Sequence, residues 1–307
     1  MLNILSLILP FFLIILLGFV LVKIKYISPS WEKALNGYAL KIGFPVLLFS
    51  VLSTSSFDFS SNLALFLANF GLLLGLIIIL YLSKLIIPWE KKVFNTFVLC
   101  AGFGNVAFLG LPLLSRIFGV EALPEGSIIV AIYLIFLLSL PLFLIEYNNQ
   151  QKLNFSLLLN FFKTPLILSI ILGIIFSYLN FSLPAVTTTV ISMISASVTP
   201  VVLLLIGISA TRVQLSTKKE WLQALILSAV LLIVTPLLFY LLIIHTPLPL
   251  AKLKFSLFFA SLPIAIVPFA LADKYNLDKD LISLTIILST FLSLITIPFW
   301  VFILQNI

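Results

Sequence analysis

The chain has 307 residues, of which 62% are hydrophobic and 9% are charged, with a formal net charge of +7 at pH 7. A soluble domain carries about a quarter charged residues, so this composition excludes a soluble globular protein and predicts an integral membrane protein. The basic residues lie between apolar runs rather than on one face, which favours anchors at the membrane surface over a nucleic-acid site. The single cysteine, Cys100, excludes a disulfide within the chain.

Apolar runs recur along the whole chain and predict an all-α membrane fold with ten transmembrane helices. A helix needs about 20 apolar residues to cross a bilayer. No basic residue precedes the first run, so we predict a membrane helix there rather than a signal peptide. The predicted spans are Leu2–Val22, Ala34–Leu52, Leu63–Ile86, Val93–Phe118, Ser127–Ile145, Thr164–Leu179, Val186–Thr211, Leu222–Ile244, Phe255–Tyr275 and Leu281–Leu304.

The basic residues predict the orientation of these spans. Most of them lie in the odd-numbered loops, and basic loops stay in the cytoplasm. We therefore predict a multi-pass protein of the cytoplasmic membrane with both termini outside. The odd loops hold Lys23, Lys25, Lys33, Lys84, Lys91, Lys92, Lys152, Lys163, Arg212, Lys218, Lys219, Lys274 and Lys279, and the even loops hold Arg116, Lys252 and Lys254.

Prolines recur at a near-constant spacing, which predicts an internal repeat. The halves are residues 1–148 and 149–307, each with five helices. Because five is odd, the second half enters the membrane from the opposite side. Such inverted repeats are typical of secondary transporters, which bind substrate at the midplane between broken helices. The pairs Pro10 and Pro165, Pro29 and Pro184, Pro45 and Pro200, and Gly18 and Gly173 are 155 residues apart, Pro112 and Pro268 are 156 apart, and Pro141 and Pro298 are 157 apart.

Two spans carry helix-breaking residues near their centres. The fourth contains Gly104-Asn105 and Gly110-Leu111-Pro112, and the ninth contains Pro263, Ile264 and Pro268. Proline removes a backbone donor, and a freed backbone group is tolerated at membrane depth only where it lines a cavity or is buried in protein. We therefore predict that both helices are broken and that their breaks form one binding site.

The residues at the two breaks favour an anionic ligand. We predict that Pro112 and Pro268 begin the second half-helices, whose N-termini carry partial positive charge. Asn105 supplies an amide that can donate to a carboxylate, and Gly104 and Gly110 let the backbone approach a ligand. Asn105 could instead satisfy orphan carbonyls of the broken helix, and the two roles are compatible.

Other polar residues are expected to be structural. We interpret Asn69 as a hydrogen-bonding contact between helices and His245 as a surface residue. Glu146 and Asp273 are expected at solvated helix ends, with a gate or proton relay as the alternative. Lys41 either extends toward the membrane surface or adds charge to the site.

The motifs at the two breaks resemble those of the auxin efflux carrier family, which includes plant auxin exporters and bacterial malonate-type carriers. The similar stretches are Gly104-Asn105 with Gly110-Leu111-Pro112-Leu113-Leu114, Leu262-Pro263-Ile264-Ala265-Ile266-Val267-Pro268-Phe269, Ala272-Asp273-Lys274-Tyr275-Asn276, the Pro45 and Pro200 helices, and Glu146-Tyr147. The resemblance covers the whole chain.

The resemblance implies the fold of sodium/proton antiporters and bile-acid carriers. Spans 1, 2, 6 and 7 would form a scaffold, expected to be a homodimer, and spans 3–5 and 8–10 an elevator-like transport domain. Asn105 matches the asparagine that contacts the substrate carboxylate in the plant carriers. Two positions depart from that pattern, because Ile264 replaces a polar amide and Asn69 replaces an acid.

The hypothesis that follows is a secondary transporter for a small organic anion, an auxin- or malonate-like carboxylate, without cofactor or metal. The partners expected are this anion and the lipid bilayer. A cation/proton antiporter or ion-coupled symporter on the same fold is the alternative, although an antiporter needs a titratable carboxylate at the crossover. A membrane enzyme is a second alternative, but one His, one Cys and acids at helix ends provide no catalytic cluster.

Overall fold

The computed structural model describes residues 2–28, 30–54, 59–137, 139–149, 163–211, 217–244 and 250–306. The predictions on Pro29, Lys152, Arg212 and His245 fall outside these residues. Within them the secondary structure is helical apart from one isolated β-bridge, which confirms the all-α prediction. The helices are α1 (Leu2–Lys23), α2 (Trp31–Ser53), α3 (Phe59–Ser83), α4 (Lys91–Cys100), α5 (Val106–Phe118), α6 (Leu123–Leu137), α7 (Leu140–Asn148), α8 (Pro165–Tyr178), α9 (Ala185–Ala210), α10 (218–244), α11 (Leu250–Ala260), α12 (Val267–Tyr275) and α13 (Lys279–Gln305).

Six helical stretches within the described residues are long and apolar enough to cross a bilayer. Shorter apolar helices accompany them, among them α5 and α8. The chain is therefore a membrane protein, as its composition predicts. The inverted arrangement of ten spans stays a prediction. The six stretches are Trp31–Ser53, Leu65–Ser83, Val120–Asn148, Ala185–Ala210, Lys218–Leu242 and Lys279–Gln305.

Within the described helices, three π-helical turns each end two residues before a proline. Proline has no N–H, and its ring clashes with the carbonyl four residues earlier in an α-helix. In each π turn the residue before the proline donates instead to the carbonyl five residues back, as Phe44 does to Ala39. The wider turn lets the helix continue past the proline. The turns are Ala39–Gly43 before Pro45, Val106–Gly110 before Pro112, and Val230–Val234 before Pro236.

The helices pack in two groups. Helix α1 packs chiefly on α9, and α2 packs on α8 and α9, whereas α3–α7 and α10–α13 pack mainly among themselves. Glycines allow the closest approach in the first group. A Cβ on Gly207 of α9 would overlap the carbonyl of Ile15 on α1, and one on Gly18 would overlap the carbonyl of Leu204. Small residues at such crossings are typical of helices that associate within membranes.

We expect Gly207→Ala to destabilise the protein by about 1–3 kcal/mol, because the new methyl group meets the α1 backbone. Gly75→Ala is the matched control, since a Cβ there meets nothing within 4 Å and alanine favours a helix by about 0.5–1 kcal/mol over glycine. Thermal unfolding of the purified proteins in detergent, followed by size-exclusion chromatography, measures the stability of both variants. Equal stability of the two variants would contradict the close α1–α9 contact.

Candidate functional site

The first interruption separates α4 from α5. Helix α4 ends at Cys100, and the following Ala-Gly-Phe-Gly-Asn segment leaves helical geometry. Glycine and asparagine are weak helix formers, which explains the break at this place. Asn105 has φ −77° and ψ 55°, the geometry of an inverse γ-turn. The Val106 N–H closes that turn by donating to the Gly104 carbonyl over 2.8 Å.

The second interruption separates α11 from α12. Helix α11 ends at Ala260, and α12 begins at Val267 with Pro268 in its first turn. Pro263 lies between them and cannot donate a backbone hydrogen bond. Pro263, Ile264 and Pro268 are all buried. The prediction that Pro268 lies at the start of the second half-helix is confirmed.

The two interruptions pair with each other. Gly104 and Ile264 form an isolated antiparallel bridge. The Asn105 N–H donates to the Pro263 carbonyl over 2.7 Å, and the Ala265 N–H donates to the Phe103 carbonyl over 2.9 Å. These bonds satisfy backbone groups that the breaks would otherwise leave unpaired in an apolar interior.

Side chains support this bridge from outside. The Ile264 N–H donates to Ser289 Oγ on α13 over 3.2 Å. A Cβ on Gly110 would lie 2.7 Å from side-chain atoms of Leu262 and Phe259. The missing side chain of Gly110 therefore serves the packing of α5 on α11. The predicted close approach of a ligand to Gly104 and Gly110 stays a prediction.

Pro112 does not begin the second half-helix, which corrects the sequence-based prediction. The helix resumes at Val106 in a π turn, and Pro112 is the second residue of the α-helical part. Gly104 precedes Pro112 by eight residues, whereas Ile264 precedes Pro268 by four. The first half thus has one more helical turn between the bridge and its proline. Helical hydrogen bonding from the Asn105 carbonyl produces this turn, because that carbonyl accepts from Leu109 N (3.2 Å) and Gly110 N (2.9 Å).

The side chain of Asn105 is buried without a hydrogen-bond partner for its oxygen. The residue is 3% exposed, and Oδ1 has no partner. The side chain does not cap α5. An orphan carbonyl would need the Nδ2 donor of Asn105, and no hydrogen bond from Nδ2 is found among the described residues. The alternative in which Asn105 only satisfies orphan carbonyls therefore has no support in the observed contacts. A buried polar atom without a partner costs about 1–3 kcal/mol, and Asn69 Oδ1 is a second buried amide oxygen of this kind. The contact of Asn105 with a ligand stays a prediction.

Tyr133 on α6 is a second buried polar group that the sequence analysis missed. It is 1% exposed, and its hydroxyl has no hydrogen-bond partner. Helix positions four and seven residues apart share a face, so Tyr133 shares a face with Leu137, four residues later, and with Gly126, seven residues earlier. Gly126 packs against Leu114 of α5, and Leu137 packs against Gly102. Tyr133 therefore faces the stretch that contains the first interruption. Its hydroxyl within an apolar run was the available signal.

Asn69 has the structural role that its sequence context predicts. Its side-chain Nδ2 donates to the Leu65 carbonyl and to Ser256 Oγ, each over 2.8 Å, and so joins α3 to α11. The residue is fully buried. The interpretation of Asn69 as a contact between helices is confirmed.

Two charged residues differ in their environment. Glu146 is 7% exposed, so the expectation of a solvated helix end is wrong for this residue. The reason is that α7 packs on α4 and contacts α12, which brings Lys274 close enough to act on Glu146 electrostatically. Lys41, in the π turn of α2, is exposed.

Comparisons with known proteins agree on a class. The profile of a family described as membrane transport protein matches residues 3–301. The chain is 27% identical over 293 residues to an uncharacterized transporter of Methanothermobacter thermautotrophicus, covering 94% of each chain. It is 26% identical over 308 residues to an uncharacterized transporter of Methanocaldococcus jannaschii, covering 95% of this chain and 98% of the relative.

We expect the two asparagines to respond in opposite ways to substitution by leucine. Asn69→Leu removes two hydrogen bonds and leaves Ser256 without this donor, so it should lower stability by about 1–2 kcal/mol. Asn105→Leu removes a polar atom that has no partner and keeps the backbone bridge, so it should leave stability unchanged or raise it. Thermal unfolding of the ligand-free proteins tests this contrast. A large loss of stability in Asn105→Leu would indicate a structural role.

Proposed function

The chain belongs to the membrane transport protein family, and from this premise we propose that it carries a small organic anion, a carboxylate, across the cytoplasmic membrane by alternating access. The resemblance to auxin efflux carriers agrees with this family. The observation that carries the proposal is the buried side-chain amide of Asn105 next to the start of α5, because its Nδ2 can donate a hydrogen bond to a carboxylate.

The proposed site has donors suited to a carboxylate. The first N–H groups of a helix lack intrahelical partners, so Ala107 and Phe108 of α5 and Val267 of α12 offer backbone donors around the bridge. The aligned peptide dipoles add partial positive charge at both helix starts. The Asn105 amide and the Tyr133 hydroxyl supply side-chain hydrogen bonds. Such groups bind a carboxylate without a cationic side chain.

Close contacts in the first packing group support an inverted repeat. Gly18 packs on Leu204. Their counterparts in the other half, each 155 residues away, are Gly173 and Phe49. These two residues also contact each other. Gly43 packs on Val198, its own counterpart at the same spacing. A contact between equivalent positions is expected where a pseudo-two-fold axis passes between two halves.

The bridge between the interruptions has the same symmetry with a local spacing of 160 residues. The bond from Asn105 to Pro263 then corresponds to the bond from Ala265 to Phe103. Under this proposal Ala265 is the counterpart of Asn105, so one half contributes an amide and the other a methyl group. Residues of the first half would therefore bind the anionic group of the substrate, and Ile264 and Ala265 would form an apolar wall of the site.

The two packing groups suit an elevator mechanism. The group of α1, α2, α8 and α9 would be the scaffold, and the group that contains the bridge would move against it. The contacts between them are fewer, for example α9 with the π turn of α5 and α1 with α13. A homodimer through the scaffold is part of the same proposal.

Binding of radiolabelled carboxylates, including an auxin and malonate, tests the site. For a substrate that binds the wild type, Asn105→Ala should weaken affinity about tenfold or more, since a hydrogen bond to a charged group contributes about 1.5–3 kcal/mol. Asn306→Ala, at an exposed position after α13, is the matched control. Unchanged affinity in Asn105→Ala would remove this residue from the site. Flux driven by a sodium or pH gradient without organic solute would favour the antiporter.

Cysteine labelling in intact cells tests the proposed orientation. Cys100 is buried and should stay unlabelled. We expect a membrane-impermeant thiol reagent to label Val120→Cys, which is 71% exposed in the wild type, from outside. Lys33→Cys should react only after permeabilisation, because its loop is predicted to be cytoplasmic. Labelling of Lys33→Cys from outside, with Val120→Cys labelled only after permeabilisation, would show the opposite orientation.

A further inference from the structure

We propose that residues 84–92 and 217–222 form a binding surface for the headgroups of anionic phospholipids in the adjoining leaflet. We call it the basic loop surface. It combines lysine side chains from two loops with exposed aliphatic side chains at the end of a membrane-length helix. The proposal is independent of the transported substrate.

An ion pair joins the two loops. Lys219 Nζ lies 3.9 Å from Glu90 Oε2, and their side chains are 72% and 63% exposed. This contact places the start of α10 beside the start of α4, although more than 120 residues separate them. Lys91 and Lys92 are exposed on one segment and Lys218 on the other. Four lysines therefore share one face of the protein.

The acidic residues of this surface do not cancel its charge. Glu220 is occupied in capping α10, where its Oε2 accepts from Thr217 N over 2.7 Å and its N–H donates to Thr217 Oγ1 over 3.3 Å. Within the described part of the chain, the carboxylate of Glu90 pairs with Lys219. The surface keeps an excess of positive charge, which complements lipid phosphates.

Aliphatic side chains lie next to these lysines. Leu85 and Ile86 are 82% and 87% exposed, directly after α3 ends at Ser83. The loop has a defined backbone, since Ile87 N donates to the Ser83 carbonyl over 2.8 Å. Because α3 is a membrane-length apolar helix, residues that follow it lie at the depth of the headgroups. Acyl chains would remove both side chains from water.

Aromatic residues hold the loop in this position. Trp89 Nε1 donates to Ser83 Oγ over 2.8 Å, and Lys84 Nζ lies 3.8 Å from the centre of the Phe94 ring. Partial burial lowers the pKa of Lys84 from its ordinary value. Tryptophan and lysine are the side chains that anchor helix ends at a membrane surface. A bilayer supplies both the hydrocarbon and the phosphate that this surface requires, which favours lipid over a soluble partner.

Electron paramagnetic resonance of spin-labelled lipids tests the charged part of the surface. The wild type in phosphatidylcholine vesicles should retain spin-labelled phosphatidylglycerol at least twofold more strongly than spin-labelled phosphatidylcholine, and added salt should reduce the preference. Replacing Lys91, Lys92, Lys218 and Lys219 by glutamine should abolish it. The matched control replaces four exposed lysines elsewhere, Lys23, Lys25, Lys33 and Lys163, and should keep it. No preference in the wild type, or equal loss in both variants, would overturn the proposal.

A depth measurement tests the aliphatic part. An environment-sensitive fluorophore on Ile86→Cys should emit at shorter wavelength in vesicles and be quenched by lipids brominated on the upper acyl chain. The same label on Ser30→Cys, an exposed loop position, should be quenched less. Equal quenching at the two positions would exclude insertion of the loop. The buried Cys100 keeps its thiol inaccessible to the label.

Discussion

Two backbone hydrogen bonds across the Gly104–Ile264 bridge hold together the part of the protein on which the rest depends. They join Asn105 to Pro263 and Ala265 to Phe103. A helix that breaks in an apolar environment frees backbone groups that cost several kcal/mol each when they stay unpaired. Each interruption supplies the missing partners of the other, so neither break is expected to be stable alone.

Because the two breaks pair through their backbones, the nearby side chains are not needed to satisfy those backbone groups. The backbone of Asn105 closes the γ-turn and the bridge, and its carbonyl begins α5, while its Oδ1 has no partner. The buried hydroxyl of Tyr133 also has no hydrogen-bond partner. The buried polar atoms that stay unpaired beside the first break carry a cost. Such local costs are typical of binding sites, where a ligand completes the hydrogen bonding.

The two packing groups differ in the contacts that join their helices. Gly18 and Gly207 bring α1 and α9 into close backbone contact, and a hydrogen bond between Tyr38 and Ser197 joins α2 to α9. The other group contains side-chain hydrogen bonds between helices, from Asn95 to Asn149 and from Asn148 to Tyr81. These bonds tie α3, α4 and the end of α7 together, and Asp278 N adds the start of α13 by donating to Thr96 Oγ1 over 2.8 Å.

The sequence by itself determined the features that depend on local chemistry. Its apolar composition determined the membrane location, and the glycines, asparagine and prolines predicted both breaks, since helix propensity and the missing proline N–H act within a few residues. Only the tertiary structure decided that α5 begins at Val106 rather than Pro112, that Glu146 is buried and that Tyr133 faces the first break. These outcomes depend on contacts between segments that are distant in the sequence. A local sequence pattern does not encode how such segments align with each other or how deeply a side chain is buried between them.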